Sequence, residues 1–140
     1  MSLPVDVDLA AWEKVREAFA EALGLDEDEV DFDSRVIGDL GAESLDFLDL
    51  AFRLERAFDI RIPRGGIEEA ARAELGDEPY EIDGILTERA LQGLRQALPE
   101  VPAEELHDGL QVDEVPLVFR VATFYHLVLR LRDAASIAEA

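Results

Sequence analysis

From Leu9 to Leu23 the apolar residues Leu9, Trp12, Val15, Phe19, Ala22 and Leu23 recur at three- and four-residue intervals, with Glu13, Arg16, Glu17 and Glu21 between them. That period predicts an amphipathic helix, and Gly24, which enters the left-handed conformation at little cost, predicts its end. Residues 25–43 break the pattern: Asp26, Glu27, Asp28, Glu29, Asp31 and Asp33 precede the isolated apolar residues Val36, Ile37 and Leu40. This reads as a long acidic loop whose apolar residues pin it to the core. A second helix is expected from Ser44, taken as its N-cap, because "LDFLDLAFRLERAF" follows without glycine or proline. Its apolar positions 45, 47, 48, 50, 51, 52, 54, 57 and 58 cover most of the circumference, the pattern of a central helix with neighbours on several sides. The remaining polar stripe is Asp46, Asp49, Arg53 and Arg56, with Asp49 and Arg53 at the i,i+4 spacing of an ion pair. Pro63 ends this region.

Beyond Pro63 the signals are shorter. A short helix is expected in "IEEAARAEL", residues 67–75, followed by "GDEPYEIDGIL". Another helix should begin at Thr87, with Leu86 and Leu91 as a hydrophobic staple around the cap, and stop before Pro99 and Pro102. The last segment opens with a turn or short helix containing Val115, Leu117, Val118 and Phe119. Thr123 is the expected cap of a final helix that uses Phe124, Leu127, Val128 and Leu131. There are no internal repeats, and the architecture reads as all-α.

A chain of 140 residues that is 49% hydrophobic can bury one real core, so a single domain spanning 1–140 is expected. Acidic residues outnumber basic ones 33 to 13, for a formal net charge of -20. Such a surface repels nucleic-acid backbones and anionic lipids and suits basic protein partners. No cysteine is present, which removes disulfides, thiolate metal sites and cysteine catalysis, so any thiol chemistry must arrive on a cofactor. Residues 1–8 lack a basic stretch followed by an apolar one, and no apolar run approaches the ~20 residues of a membrane span. A soluble cytoplasmic protein is the expectation.

Ser44 stands in "GDLGAESLDF", residues 38–47, where a serine can serve as cap, nucleophile or attachment point. An esterase elbow needs glycine on both sides of the serine, whereas Ala42 and Asp46 stand here. The two histidines do not improve that case, since His107 lies among loop-like residues and His126 in an apolar helix. The acidic run "DEDEVDFD" lacks the glycine and spaced glutamate of a calcium loop, so no metal site is expected. Attachment of an anionic group suits a hydroxyl at a helix start, where backbone N–H groups and the helix dipole favour negative charge. Spacing alone leaves cap and attachment point both open.

The segment "VREAFAEALGLDEDEVDFDSRVIGDLGAESLDFLDLAFRLERAFDIRIP", residues 15–63, closely resembles an acyl carrier protein. The likeness runs without an obvious gap: a helix ending in Leu-Gly-Leu, an acidic loop, Asp-Leu-Gly-Ala, the acidic-Ser-Leu-Asp signature, and a long helix closing in Phe-Asp-Ile-Arg-Ile-Pro. The resemblance implies a four-helix bundle and an attachment serine at Ser44, to which a phosphopantetheinyl transferase, using coenzyme A and usually magnesium, adds 4′-phosphopantetheine. The arm would supply the thiol on which acyl groups travel between enzymes, and the protein would catalyse nothing itself. It further implies docking of acyl-transferring or condensing enzymes, through basic patches, on Asp39, Glu43, Leu45, Asp46, Asp49, Arg53 and Arg56. An apolar interior for the acyl chain would be lined by Phe19, Leu48, Phe52, Phe58, Ile62, Phe119 and Phe124.

Three departures qualify the likeness, the first being Glu43, which stands where the family usually has aspartate and keeps the charge. Arg53 and Arg56 bring the second helix nearer to neutral than the uniformly acidic face of common carriers, which argues against promiscuous use by standard fatty-acid synthesis enzymes. Residues 64–109 are an addition, after which "QVDEVPLVFRVATFYHLV" recovers the carrier-like ending. The expected domain thus has a core of about 9–63 and 110–134 around an inserted helical segment, about 64–109, whose length favours service to a dedicated partner or an enlarged acyl cavity over a mere cap on the bundle end. The functional expectation is an acyl carrier in fatty-acid or specialised lipid biosynthesis. The rivals are an amino-acid or polyketide carrier, which shares the attachment motif, and an unmodified helical adapter.

Overall fold

The computed structural model describes residues 6–62 and 75–139, with side chains through residue 134. The helix expected at 67–75 lies, apart from Leu75, outside the described residues. Helices dominate, and the chain divides into two compact units, Met1–Ile62 with Arg120–Ala140 and Pro63–Phe119.

In the first unit, α1 spans Leu9–Leu23, as its periodicity predicts. Asp8 caps it by accepting the Ala11 N–H at 3.1 Å, and Gly24 closes it with φ 68°. The inward face is Ala11, Trp12, Val15, Ala18, Phe19 and Ala20. The acidic loop holds a short 3-10 turn at Glu27–Glu29 and is anchored by Val30, Phe32 and Val36, all buried. Of the three residues expected to pin it, Val36 is buried, while Ile37 and Leu40 are half-buried.

Helix α2 runs Ser44–Phe58. It is not the all-round buried helix that its composition suggests. Leu50 and Leu54 are its buried residues, and Leu45, Leu48 and Phe52 are 81%, 56% and 58% exposed. The final helix of this unit covers Val121–Glu139. Thr123 is not its cap but its third residue, where its hydroxyl accepts the Arg120 N–H at 3.0 Å. The first N–H groups of this helix reach back to the acidic loop: Val121 donates to the Ser34 carbonyl and Ala122 to that of Phe32, both at 2.9 Å. Two donors that a helix start leaves without intrahelical acceptors are thereby satisfied. The aromatic rings of Trp12, Phe32, Tyr125 and His126 pack edge to face beside this junction. The apolar-helix histidine therefore stacks on Tyr125 and Phe32.

The second unit departs from the all-α expectation by one small feature. Glu81–Ile82 and Ile85–Leu86 form a two-stranded antiparallel hairpin. Its turn residues Asp83 and Gly84 have φ of 55° and 82°, the left-handed pair that a two-residue hairpin turn requires. The "DG" between apolar residues was the available signal. A helix covers Glu88–Ala97, capped by Thr87 through the Ala90 N–H at 3.2 Å, with both staple residues Leu86 and Leu91 buried. 3-10 turns at Ala103–Glu105 and Val112–Val118 complete the described part of this unit. Among the described residues no helix is long and apolar enough to cross a membrane.

Candidate functional site

The chain reaches Ser44 through a compact turn. Asp39 and Leu40 donate their N–H groups to the Arg35 carbonyl, Gly41 donates to Ile37, and Ala42 donates to Val36. Gly41 takes φ 73° here, a conformation that costs glycine little. The Asp39 carboxylate accepts the Arg35 N–H at 2.8 Å, and buried Ala42 fixes the exit of the turn. Glu43 is then extended (φ -115°, ψ 172°) and occupies the N-cap that the sequence assigned to Ser44. The cap is secured from the third helical residue, since Asp46 accepts the Glu43 N–H at 2.8 Å.

This moves Ser44 one position into the helix. It is the first residue of α2, it is exposed, and no hydrogen bond occupies its hydroxyl among the described residues. The backbone N–H groups of the first turn point toward the same end, as helix geometry dictates. The serine side chain is consequently not needed for capping and is open to a partner.

The outward face of α2 joins the exposed apolar residues Leu45, Leu48 and Phe52 to a charged strip. Arg53 donates from Nε to Asp49 at 3.1 Å and from Nη1 to Glu21 on α1 at 2.7 Å. The Asp49 pair was visible from spacing; Glu21, 32 residues away, was not. Arg56 is exposed one turn further on. The far end closes at Asp59 with φ 53°, and Glu55 accepts the Ile62 N–H at 2.7 Å.

The residues expected to line an acyl interior divide into four groups. Phe19 and Phe124 are buried and meet edge to face, with Phe47, which the sequence reading passed over, 6.0 Å from Phe124. Phe58 and Ile62 are half-buried near the end of α2, and the Lys14 ammonium sits over the Phe58 ring at 5.4 Å. Leu48 and Phe52 stand on the solvent face of α2, more than half exposed, and so do not join the buried set that sequence reasoning placed them in. Phe119 is buried but belongs to the second unit. His107 also belongs to that unit and is exposed, with Nδ1 3.0 Å from the Asp108 carbonyl. Among the described residues no cluster of three or more His, Asp or Glu side chains is arranged to hold a metal ion.

Residues 13–71, the stretch that contains this site, match the family described as "Phosphopantetheine attachment site". An acyl carrier protein of Sulfurovum sp. (strain NBC37-1) is 44% identical over 77 residues, covering 55% of this chain and 100% of the relative. The acyl carrier protein of Campylobacter lari is 39% identical over 66 residues, 47% of this chain and 86% of the relative. The acyl carrier protein AcpXL of Brucella melitensis biotype 1 is 43% identical over 54 residues, 39% of this chain and 58% of the relative. No solved structure matches the chain significantly. The chain belongs to the acyl carrier protein family, whose members bear a covalently attached 4′-phosphopantetheine group and are carriers rather than catalysts.

Proposed function

We propose that Ser44 is the attachment serine and that the chain carries acyl intermediates as thioesters in fatty-acid or specialised lipid biosynthesis. The observation that carries this reading is the state of the Ser44 hydroxyl: exposed, first in α2, and held by no hydrogen bond among the described residues. The local chemistry fits the group. A phosphodiester on Ser44 would face the free N–H groups and positive dipole end of α2, and capping by Asp46 leaves the serine Oγ available. When bound, the prosthetic group supplies the thiol that a cysteine-free chain lacks.

The chain's own residues do the rest by position. The turn that ends at Ala42 fixes where α2 begins, and therefore where Ser44 is presented. We assign docking to Asp39, Glu43, Leu45, Asp46, Asp49, Arg53 and Arg56, with Leu48 and Phe52 added to the same outward face. The partners are a phosphopantetheinyl transferase and acyl-transferring or condensing enzymes with basic patches, which the charge of -20 attracts. The interior around Phe19 and Phe124 is the proposed seat of the acyl chain. Residues 64–109 are read as an insertion within one carrier domain that serves a dedicated partner, and the protein is assigned to the cytoplasm.

Intact-mass measurement after incubation with coenzyme A and a broad-range phosphopantetheinyl transferase tests the central claim. Wild-type protein should gain one phosphopantetheinyl group and Ser44→Ala none. Wild-type protein that gains no mass would point to an unmodified adapter, and a modified Ser44→Ala would move the site elsewhere.

A further inference from the structure

We infer that Arg53 is a specificity-determining residue: by clamping Asp49 of α2 and Glu21 of α1 it withholds the middle of the docking face from basic partners. The inference rests on the proposed reading of α2 as that face. Two of the guanidinium nitrogens are committed, Nε to Asp49 at 3.1 Å and Nη1 to Glu21 at 2.7 Å. A lone i,i+4 pair on an exposed helix face is only weakly held. An arginine held by carboxylates on two helices has its planar fork fixed in place, a geometry that lysine does not reproduce.

Position gives the clamp its consequence. Asp49 follows Leu45 by four residues and precedes Arg56 by seven, so at 3.6 residues per turn all three lie on one strip of α2. Leu45 is the most exposed apolar residue of that strip, and Asp49 is the carboxylate that a basic partner seated over Leu45 and Phe52 would meet. Arg53 already fills its approach with a like charge. Near Ser44 the situation differs, because Glu43 and Asp46 have no cation paired with them among the described contacts. A partner is thereby directed to the serine end of the helix, and one that depends on Asp49 is disfavoured. Exposed ion pairs contribute little to stability, and the side chains here are 36% to 54% exposed, so the effect belongs to recognition more than to folding.

The test is a double-mutant cycle read by the kcat/KM of a broad-range phosphopantetheinyl transferase on wild type, Arg53→Gln, Asp49→Asn and the double variant, at low and high salt. Arg53→Gln should raise kcat/KM about three-fold or more at low salt, with the gain shrinking at high salt. Asp49→Asn should cost about three-fold more in the Arg53→Gln background than in wild type. Arg130→Gln makes the same change of net charge at an exposed position of the C-terminal helix and should leave kcat/KM unchanged; a gain there equal to that of Arg53→Gln overturns the clamp in favour of net charge alone. Equal costs for Asp49→Asn in both backgrounds, or no gain from Arg53→Gln, also overturn it. Thermal unfolding of each variant reads out a merely structural role, which would lower Tm without the salt-dependent coupling. Wild-type protein that stays unmodified overturns the docking reading and the clamp together, whereas modified wild type without coupling overturns the clamp alone.

Discussion

Phe19 of α1 and Phe124 of the C-terminal helix meet edge to face, with ring centroids 5.6 Å apart and ring planes at 74°. This contact joins two helices separated by a hundred residues of chain, and Phe19 has no exposed surface. Phe19→Ala removes both the buried ring and its partner's packing. A loss of about 3–5 kcal/mol is expected, read by urea unfolding monitored through circular dichroism.

Because Glu43 and Asp46 form the cap, Ser44 and Asp46 should separate in a stability assay. Ser44→Ala is expected to unfold within about 0.5 kcal/mol of wild type while losing all mass gain with coenzyme A and transferase. Asp46→Ala, which leaves the Glu43 N–H without its acceptor, should lose about 1 kcal/mol. If Ser44→Ala proved the more destabilising of the two, the cap would have to be reassigned to the serine.

The exposed and buried apolar residues of α2 should answer to different measurements. Leu50→Ala and Leu54→Ala are expected to cost about 2–5 kcal/mol, since both residues are buried. Leu48→Ser and Phe52→Ser should leave Tm nearly unchanged and lower the transferase kcat/KM about tenfold, equivalent to about 1.4 kcal/mol of lost docking. Comparable losses of Tm in both pairs would remove the docking interpretation of that stripe.

The N-terminal cap of α1 makes a pH prediction. The hydrogen bond from the Ala11 N–H, and after it Arg132, holds the Asp8 carboxyl below its ordinary value of 3.8. A carboxylate depressed by folding stabilises the native chain fully above the unfolded value and loses that contribution as pH falls through the lower folded one. Asp8→Ala should therefore lower Tm by a constant margin between about pH 5 and 7, with the margin closing below 3.8. Asp8→Asn, which keeps a capping oxygen, should show a smaller margin. Melting curves over that pH range decide it.

The sequence was most legible where local rules act alone. The bounds of α1, the start of α2, and the Thr87 cap with its staple all follow from periodicity and capping residues within a few positions of each other. Periodicity failed on α2 because it reports which positions tolerate burial, not whether a neighbour exists to bury them. Leu48 and Phe52 were therefore assigned to an interior that the structure does not extend to them. The Asp83-Gly84 hairpin was overlooked because its two-residue strands are too short to show an alternating pattern, although the turn itself carried the signal. Residue type alone makes Thr123 and Ser44 look like caps, yet each sits inside its helix: Thr123 is the third residue, accepting the Arg120 N–H, and Glu43 takes the extended conformation before Ser44. The Arg53–Glu21 contact belongs to tertiary structure and left no trace in the local pattern.

The bonds from Val121 and Ala122 to the carbonyls of Ser34 and Phe32 bear on how the molecule opens. Those two amides exchange with solvent only when the acidic loop lets go of the helix behind it, so hydrogen exchange at Val121 and Ala122 clocks the loop as well as the helix. Two backbone bonds thus tie the loop to the start of the helix. The long segment that delivers the chain to Ser44 is anchored along its length by these bonds and by buried Val30, Phe32, Val36 and Ala42, so the serine projects from a mount instead of a slack tether.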